Sequence, residues 1–151
     1  MKKLLAALGA AFLLAAPAFA DERATPADAE ALVKNAVAYL KRHGREKAFK
    51  EFQKLNGPFV YKDLYVFVNS IEGKTLVHPT DPERIGMDVS KAKDPNGKLY
   101  VQERLEIAKT KGSGWQEYGY RNPATNKVET KVSYIERVDD LVIVAGAYKQ
   151  K

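Results

Sequence analysis

The chain has 151 residues, two histidines, no cysteine and a formal charge of +6. That length bounds it to one domain, and the missing thiols exclude a cysteine nucleophile, a lipid-modified cysteine, Cys-ligated zinc and a C-x-x-C-H haem attachment. With 25 basic and 19 acidic residues, the positive excess is mild and spread as Lys and Arg singles rather than blocks, the pattern of a solvated surface and not of a nucleic-acid groove.

The amino terminus reads Met1-Lys2-Lys3, is apolar over residues 4–16, and reaches Ala18-Phe19-Ala20 ahead of Asp21. These are the three regions of a secretory signal with a small-x-small cleavage site. The apolar run, about 13 residues, falls short of the roughly 20 that span a bilayer. The expectation is a signal peptide over 1–20, cleavage after Ala20, and one soluble periplasmic domain over 21–151.

Thr25, Pro26 and Asp28 form a helix start: a hydroxyl cap, proline in the first turn, and an early acid. Leu32, Val33, Ala36, Val37 and Leu40 then recur at the helical period until His43-Gly44. His43 is read as a cation complementing the helix dipole rather than a site residue. A second helix is predicted over 45–55, with Ala48, Phe49, Phe52 and Leu55 on one face, ending at Asn56-Gly57-Pro58.

Residues 64–68 are a continuous apolar run of strand length. Period two puts Leu64, Val66 and Val68 on one face and Tyr65 and Phe67 on the other, so both faces need cover. A turn is expected over 69–73, with a short returning strand over 74–77 stopped by His78-Pro79. Residues 79–97 are rich in proline, glycine and polar groups, a loop long enough to be functional. Its acids Asp81, Glu83, Asp88 and Asp94 do not match a calcium loop and are read as solvated turn residues. A helix follows over 98–111, with Val101, Leu105 and Ala108 on one face.

The rest is a meander of three strands, 115–120, 128–137 and 141–148, separated by an Asn-Pro-Ala-Thr-Asn tract and by Asp139-Asp140. The class is therefore α+β: a five-stranded antiparallel sheet, the long first helix on one face, and the loop with its helix over the other. Lys131 stands in mid-strand, where a packed sheet ordinarily has Val or Ile. Read from the residues alone, its ammonium either faces water or meets a carboxylate, because a buried charge is costly unless paired. No Ser lies in a nucleophile turn such as G-x-S-x-G, and the histidine pair offers no catalytic set, so no enzyme is expected.

Several motifs occur together and in order: Asp63-Leu64-Tyr65, a turn at Gly73, Leu76-Val77-His78-Pro79, Ile85-Gly86, Lys93-Asp94-Pro95-Asn96-Gly97-Lys98, Gly112-Ser113-Gly114-Trp115, Tyr118, Asn122-Pro123, Lys131-Val132-Ser133-Tyr134 and Gly146-Ala147-Tyr148. In this order they resemble the single Cache domain family (type 2), extracellular sensing domains with a PAS-like sheet, over nearly the whole mature chain. The resemblance implies a pocket between the sheet and the segment crossing it, filled by a small organic anion of the acetate, propionate, pyruvate or lactate class. It implies no cofactor.

The candidate ligand-binding residues are Lys131, to meet the carboxylate; His78, a neutral donor beside the loop; Trp115 and Tyr118, aromatic walls with polar tips; and Tyr65 on the central strand. Trp115 and Tyr118 are three apart and so take opposite faces of an ideal strand unless a bulge intervenes. The same parity assigns Tyr134 to the face under the long helix. Most members of that family sit between two membrane helices and drive a chemoreceptor or kinase. With no second membrane segment after Tyr148, the expectation is a free periplasmic binder that reports to a membrane receptor or kinase. The rival expectation is an accessory protein of such a receptor with no ligand of its own.

Overall fold

The computed structural model describes residues 23–150; the expected signal peptide and its cleavage site lie outside the described residues. Helix α1 spans Pro26–His43. Its start is a reciprocal capping box, in which the Asp28 amide donates to Thr25 Oγ1 at 3.2 Å and Thr25 N–H donates back to Asp28 Oδ2 at 2.8 Å. Such caps contribute about 1 kcal/mol. Ala29, Leu32, Val33, Ala36, Val37 and Leu40 are its buried stripe.

Helix α2 spans Arg45–Phe52, shorter than the predicted 45–55. Tight turns take over after it, with Lys54 N–H donating to the Glu51 carbonyl and Gly57 N–H to the Lys54 carbonyl. Leu55 consequently lies outside the helix and is exposed rather than on its buried face.

The apolar run at 64–68 is not one strand. β1 (Val60–Tyr61) and β2 (Leu64–Tyr65) form a small hairpin, and β3 (Phe67–Ser70) then enters the main sheet. The predicted parity survives the break: Leu64, Val66 and Val68 join the core under α1, while Tyr65 and Phe67 join the opposite core. β3 also extends through Asn69 and Ser70, which were expected in the turn. β4 covers Thr75–Val77.

Residues 79–97 contain one 3-10 turn, Pro82–Arg84, and are otherwise irregular. They are stitched to the sheet edge: Thr75 N–H donates to the Met87 carbonyl, Gly86 N–H to the Thr75 carbonyl and Val89 N–H to the Gly73 carbonyl. Asp94 is buried, which corrects its reading as a solvated acid. Its carboxylate accepts the N–H groups of Asn96, Lys98 and Gly119 at 2.9 to 3.0 Å. Those bonds hold its carboxyl below the usual carboxylate range and pin the loop to β5.

Helix α3 is Tyr100–Thr110, followed by β5 (Ser113–Asn122), β6 (Lys127–Val138) and β7 (Leu141–Tyr148). The five-stranded antiparallel sheet runs β4-β3-β7-β6-β5, so the last strand is central and buried along its whole length. Leu141, Ile143, Ala145 and Ala147 pack towards α1, and Val142 and Val144 towards α3. Among the described residues no helix is long and apolar enough to cross a membrane.

Candidate functional site

Strand register places the central cation. Lys131 on β6 is paired with Tyr118 on β5 and with Tyr148 on β7, so all three side chains project from one face, towards α3. Lys131 is 1 % exposed. Its Nζ donates to the Tyr65 hydroxyl at 3.0 Å and lies 4.3 Å from the centre of the Tyr65 ring, 5.2 Å from Phe67, and 5.1 Å from both Tyr120 and Tyr148. Four rings thus cradle one charge, each attracting it through its negative face. Among the described residues no carboxylate lies within ion-pair distance of it. Burial pulls its pKa down to about 8, opposed by Tyr118, reinforced by the Arg104 charge and opposed again by Asp63.

Two arginines reach the same space. Arg104 on α3 is buried and donates from Nε to Gln116 Oε1 at 3.0 Å, from Nη1 to Asn69 Oδ1 at 2.7 Å and from Nη2 to the Tyr118 hydroxyl at 3.1 Å. Its guanidinium sits 4.9 Å from the Phe67 ring centre, the ring that also bounds Lys131. Arg84, from the 3-10 turn, donates to the Tyr120 hydroxyl at 2.9 Å.

Lys131, Arg104 and Arg84, with Tyr65, His78 and Tyr100, line a cavity of about 20 Å³, and none of its lining residues carries a carboxylate. That volume exceeds the roughly 10–15 Å³ needed for one water. A guest of more than a few heavy atoms therefore requires the walls to move. Chemically, the cavity presents three cations and a set of phenolic hydroxyls, an arrangement complementary to a small anion.

His78 follows the end of β4. Its ring is buried 5.4 Å from Tyr65 and 5.6 Å from Phe67. Burial, and then the charges of Lys131, Arg84 and Arg104, lower its pKa to about 3, so the imidazole is neutral at physiological pH and can donate one hydrogen bond and accept another.

The structure brings four of the five sequence-chosen residues, Lys131, His78, Tyr118 and Tyr65, to this cavity. Trp115 stands apart. It pairs with Tyr134, is 42 % exposed, and stacks edge-on against the Tyr134 ring at 5.1 Å on the α1 side. The β5–β6 pairing runs unbroken from Ser113 to Asn122, so no bulge rotates Trp115 inwards and parity keeps it on the other face. Tyr134 lies in the core beneath α1, as its parity required.

Sequence reasoning missed Arg104, Arg84, Tyr100 and Tyr120. For Arg104 a signal existed: it shares the helical face of Val101, Leu105 and Ala108, and a charge within an apolar stripe demands a partner. Arg84 gave no such signal, because an irregular loop has no period.

The profile of the single Cache domain 2 family matches residues 7–150. Among curated proteins, the sensor histidine kinase MctS of Rhizobium johnstonii is 32 % identical over 85 residues, 56 % of this chain and 18 % of the kinase. The chain thus spans less than a fifth of that relative's length. Among solved structures, the periplasmic sensor domain of a chemotaxis protein superposes with a TM-score of 0.65 at 28 % identity, covering 82 % of this chain and 90 % of that one. A Cache chemosensory domain described in terms of carboxylic acid recognition has a TM-score of 0.65 at 23 % identity, over 82 % of this chain and 88 % of its own, which speaks to the fold.

Proposed function

The chain belongs to the single Cache domain 2 family, whose members are sensor domains and non-catalytic binding modules, and from that premise we propose that it binds a short-chain carboxylate in the periplasm. In this reading the domain is exported by the signal at residues 1–20 and works as a free binder whose occupancy is read by a membrane receptor or kinase. One observation carries it: the Lys131 ammonium is buried against four rings in a cavity with no acid in its lining. A carboxylate there gains a charge-assisted bond of about 1.5–3 kcal/mol. Lys131, His78, Tyr118 and Tyr65 are its proposed contacts, with Arg104 and Arg84 supplying further positive charge; Trp115 is left out.

The guest is small. At a ceiling of about 1.5 kcal/mol per heavy atom, an acid of about four to six heavy atoms reaches micromolar affinity at best. The tightness of the cavity favours a second reading, in which the cations are structural and the domain is an accessory of a membrane receptor with no ligand of its own. A thermal-shift screen with acetate, propionate, pyruvate and lactate separates the two. A ligand at about 100 times its Kd adds about 2.7 kcal/mol of stability. Stabilisation by at least one of these acids, saturating with concentration, is the expected result; no response to any of them sinks the binding function.

A further inference from the structure

Gln53, the cap residue directly after α2, holds both main-chain polar groups of His78. Its Nε2 donates to the His78 carbonyl at 3.0 Å, and its Oε1 accepts the His78 N–H at 3.1 Å. The two residues are far apart in sequence, and the contact has a clear cause. β4 is an edge strand that ends at Val77, so the next residue, His78, has left the ladder while its backbone is still buried. A side-chain amide supplies the donor and acceptor that a neighbouring strand would have given. Pro79 then confines His78 to extended backbone conformations. With its main chain clamped on one side and restricted on the other, the His78 Cβ has one direction, towards Tyr65 and Phe67.

We propose that Gln53 is a positioning residue for the anion site: by clamping the His78 backbone it aims the imidazole into the cavity and links carboxylate affinity to the end of α2. This rests on the reading of the cavity as a carboxylate site. The effect passes through the imidazole, so it disappears when the imidazole is removed.

The test is a double-mutant cycle on the full domain, with Gln53→Ala, His78→Ala and the pair titrated by calorimetry with whichever of acetate, propionate, pyruvate and lactate binds the wild type most tightly. Gln53→Ala is expected to weaken binding about tenfold in the wild-type background and to have no further effect beside His78→Ala. Equal weakening in both backgrounds, or none in either, overturns the proposal. Gln53→Glu, which keeps the acceptor and loses the donor, takes the alanine variant's place throughout if the latter does not fold.

A second measurement needs no ligand. In the ligand-free protein the ring nitrogen and carbon-bound proton signals of His78 are expected to shift or broaden in the Gln53 variant, while those of His43 stay in place. Unchanged His78 signals overturn the proposal. If none of the four acids binds the wild type, it is the carboxylate function that fails, and the imidazole spectra still decide the role of Gln53.

Discussion

Gly146 on β7 makes room for Lys131 on β6: a methyl carbon placed on Gly146 would lie 2.7 Å from Lys131 Cε and 2.9 Å from Lys131 Cγ. It would also collide with Ser133 Oγ, and Ser133 is the strand partner of Gly146. The bare glycine is therefore a packing requirement of the buried lysine stem rather than a backbone one. Gly146→Ala is expected to destabilise the domain by about 1–3 kcal/mol through overpacking and to weaken carboxylate binding as the ammonium is displaced. Urea denaturation and calorimetry check both; an unchanged unfolding midpoint with unchanged affinity would mean that the stem moves aside at no cost.

Replacing Lys131 by methionine removes the charge and keeps most of the volume. A buried ion exchanged for an apolar side chain of similar size is often stabilising. With its pKa drawn down to about 8 from the ordinary lysine value, the ammonium opposes folding at pH 7. Lys131→Met is expected to raise stability by on the order of 1–3 kcal/mol while abolishing carboxylate binding. A variant that is more stable and still binds with wild-type affinity would take Lys131 out of the site.

Binding should follow the protonation of the same group. The ammonium is present below about pH 8 and lost above it, and Tyr65, Tyr120 and Tyr148 around it are all shifted upward by burial, so they stay neutral through that window. Carboxylate affinity is expected to be flat from pH 6 to 7.5 and to fall above pH 8, approaching about tenfold per pH unit. Titrations across pH 6 to 10 read this directly, and a pH-independent affinity would exclude Lys131 as the charge that the anion meets.

His78 predicts an acid instability of the opposite kind. Its folded pKa, about 3, lies below the ordinary value near 6.5, so the unfolded chain binds the proton first. The contribution to stability is whole above about pH 6.5 and is lost progressively as pH falls towards 3, at up to about 1.4 kcal/mol per pH unit. His78→Gln is expected to lose stability less steeply between pH 6.5 and 4 than the wild type. Parallel slopes for the two proteins would show that another group governs acid unfolding.

Much of the fold was legible because its signals are local. The capping residues Thr25 and Asp28, the stripe from Ala29 to Leu40 and the alternation through Leu64, Tyr65, Val66 and Phe67 each report an environment that repeats every few residues. The break within 64–68 was hidden, since Val66 satisfies the same parity whether the strand continues or hands over; its N–H donates to the Phe59 carbonyl rather than to the main sheet. The site was half legible. Lys131 stood out as a charge in an apolar strand, and parity limited Trp115 and Tyr118 to one inward residue between them without saying which.

By itself, then, the sequence determined the type of nearly every element, the two faces of the sheet, and the presence of a mid-strand cation that needed an explanation, because these follow from periodicity and burial cost along a short stretch of chain. Tertiary structure alone decided that Arg104 and Arg84 join Lys131 around one cavity, that Tyr118 faces it while Trp115 does not, and that Gln53 holds the backbone of His78. Those outcomes depend on where α3 and the 3-10 turn cross a sheet whose last strand lies in the middle, and that crossing is set by the packing of two cores against opposite faces, which no local pattern encodes.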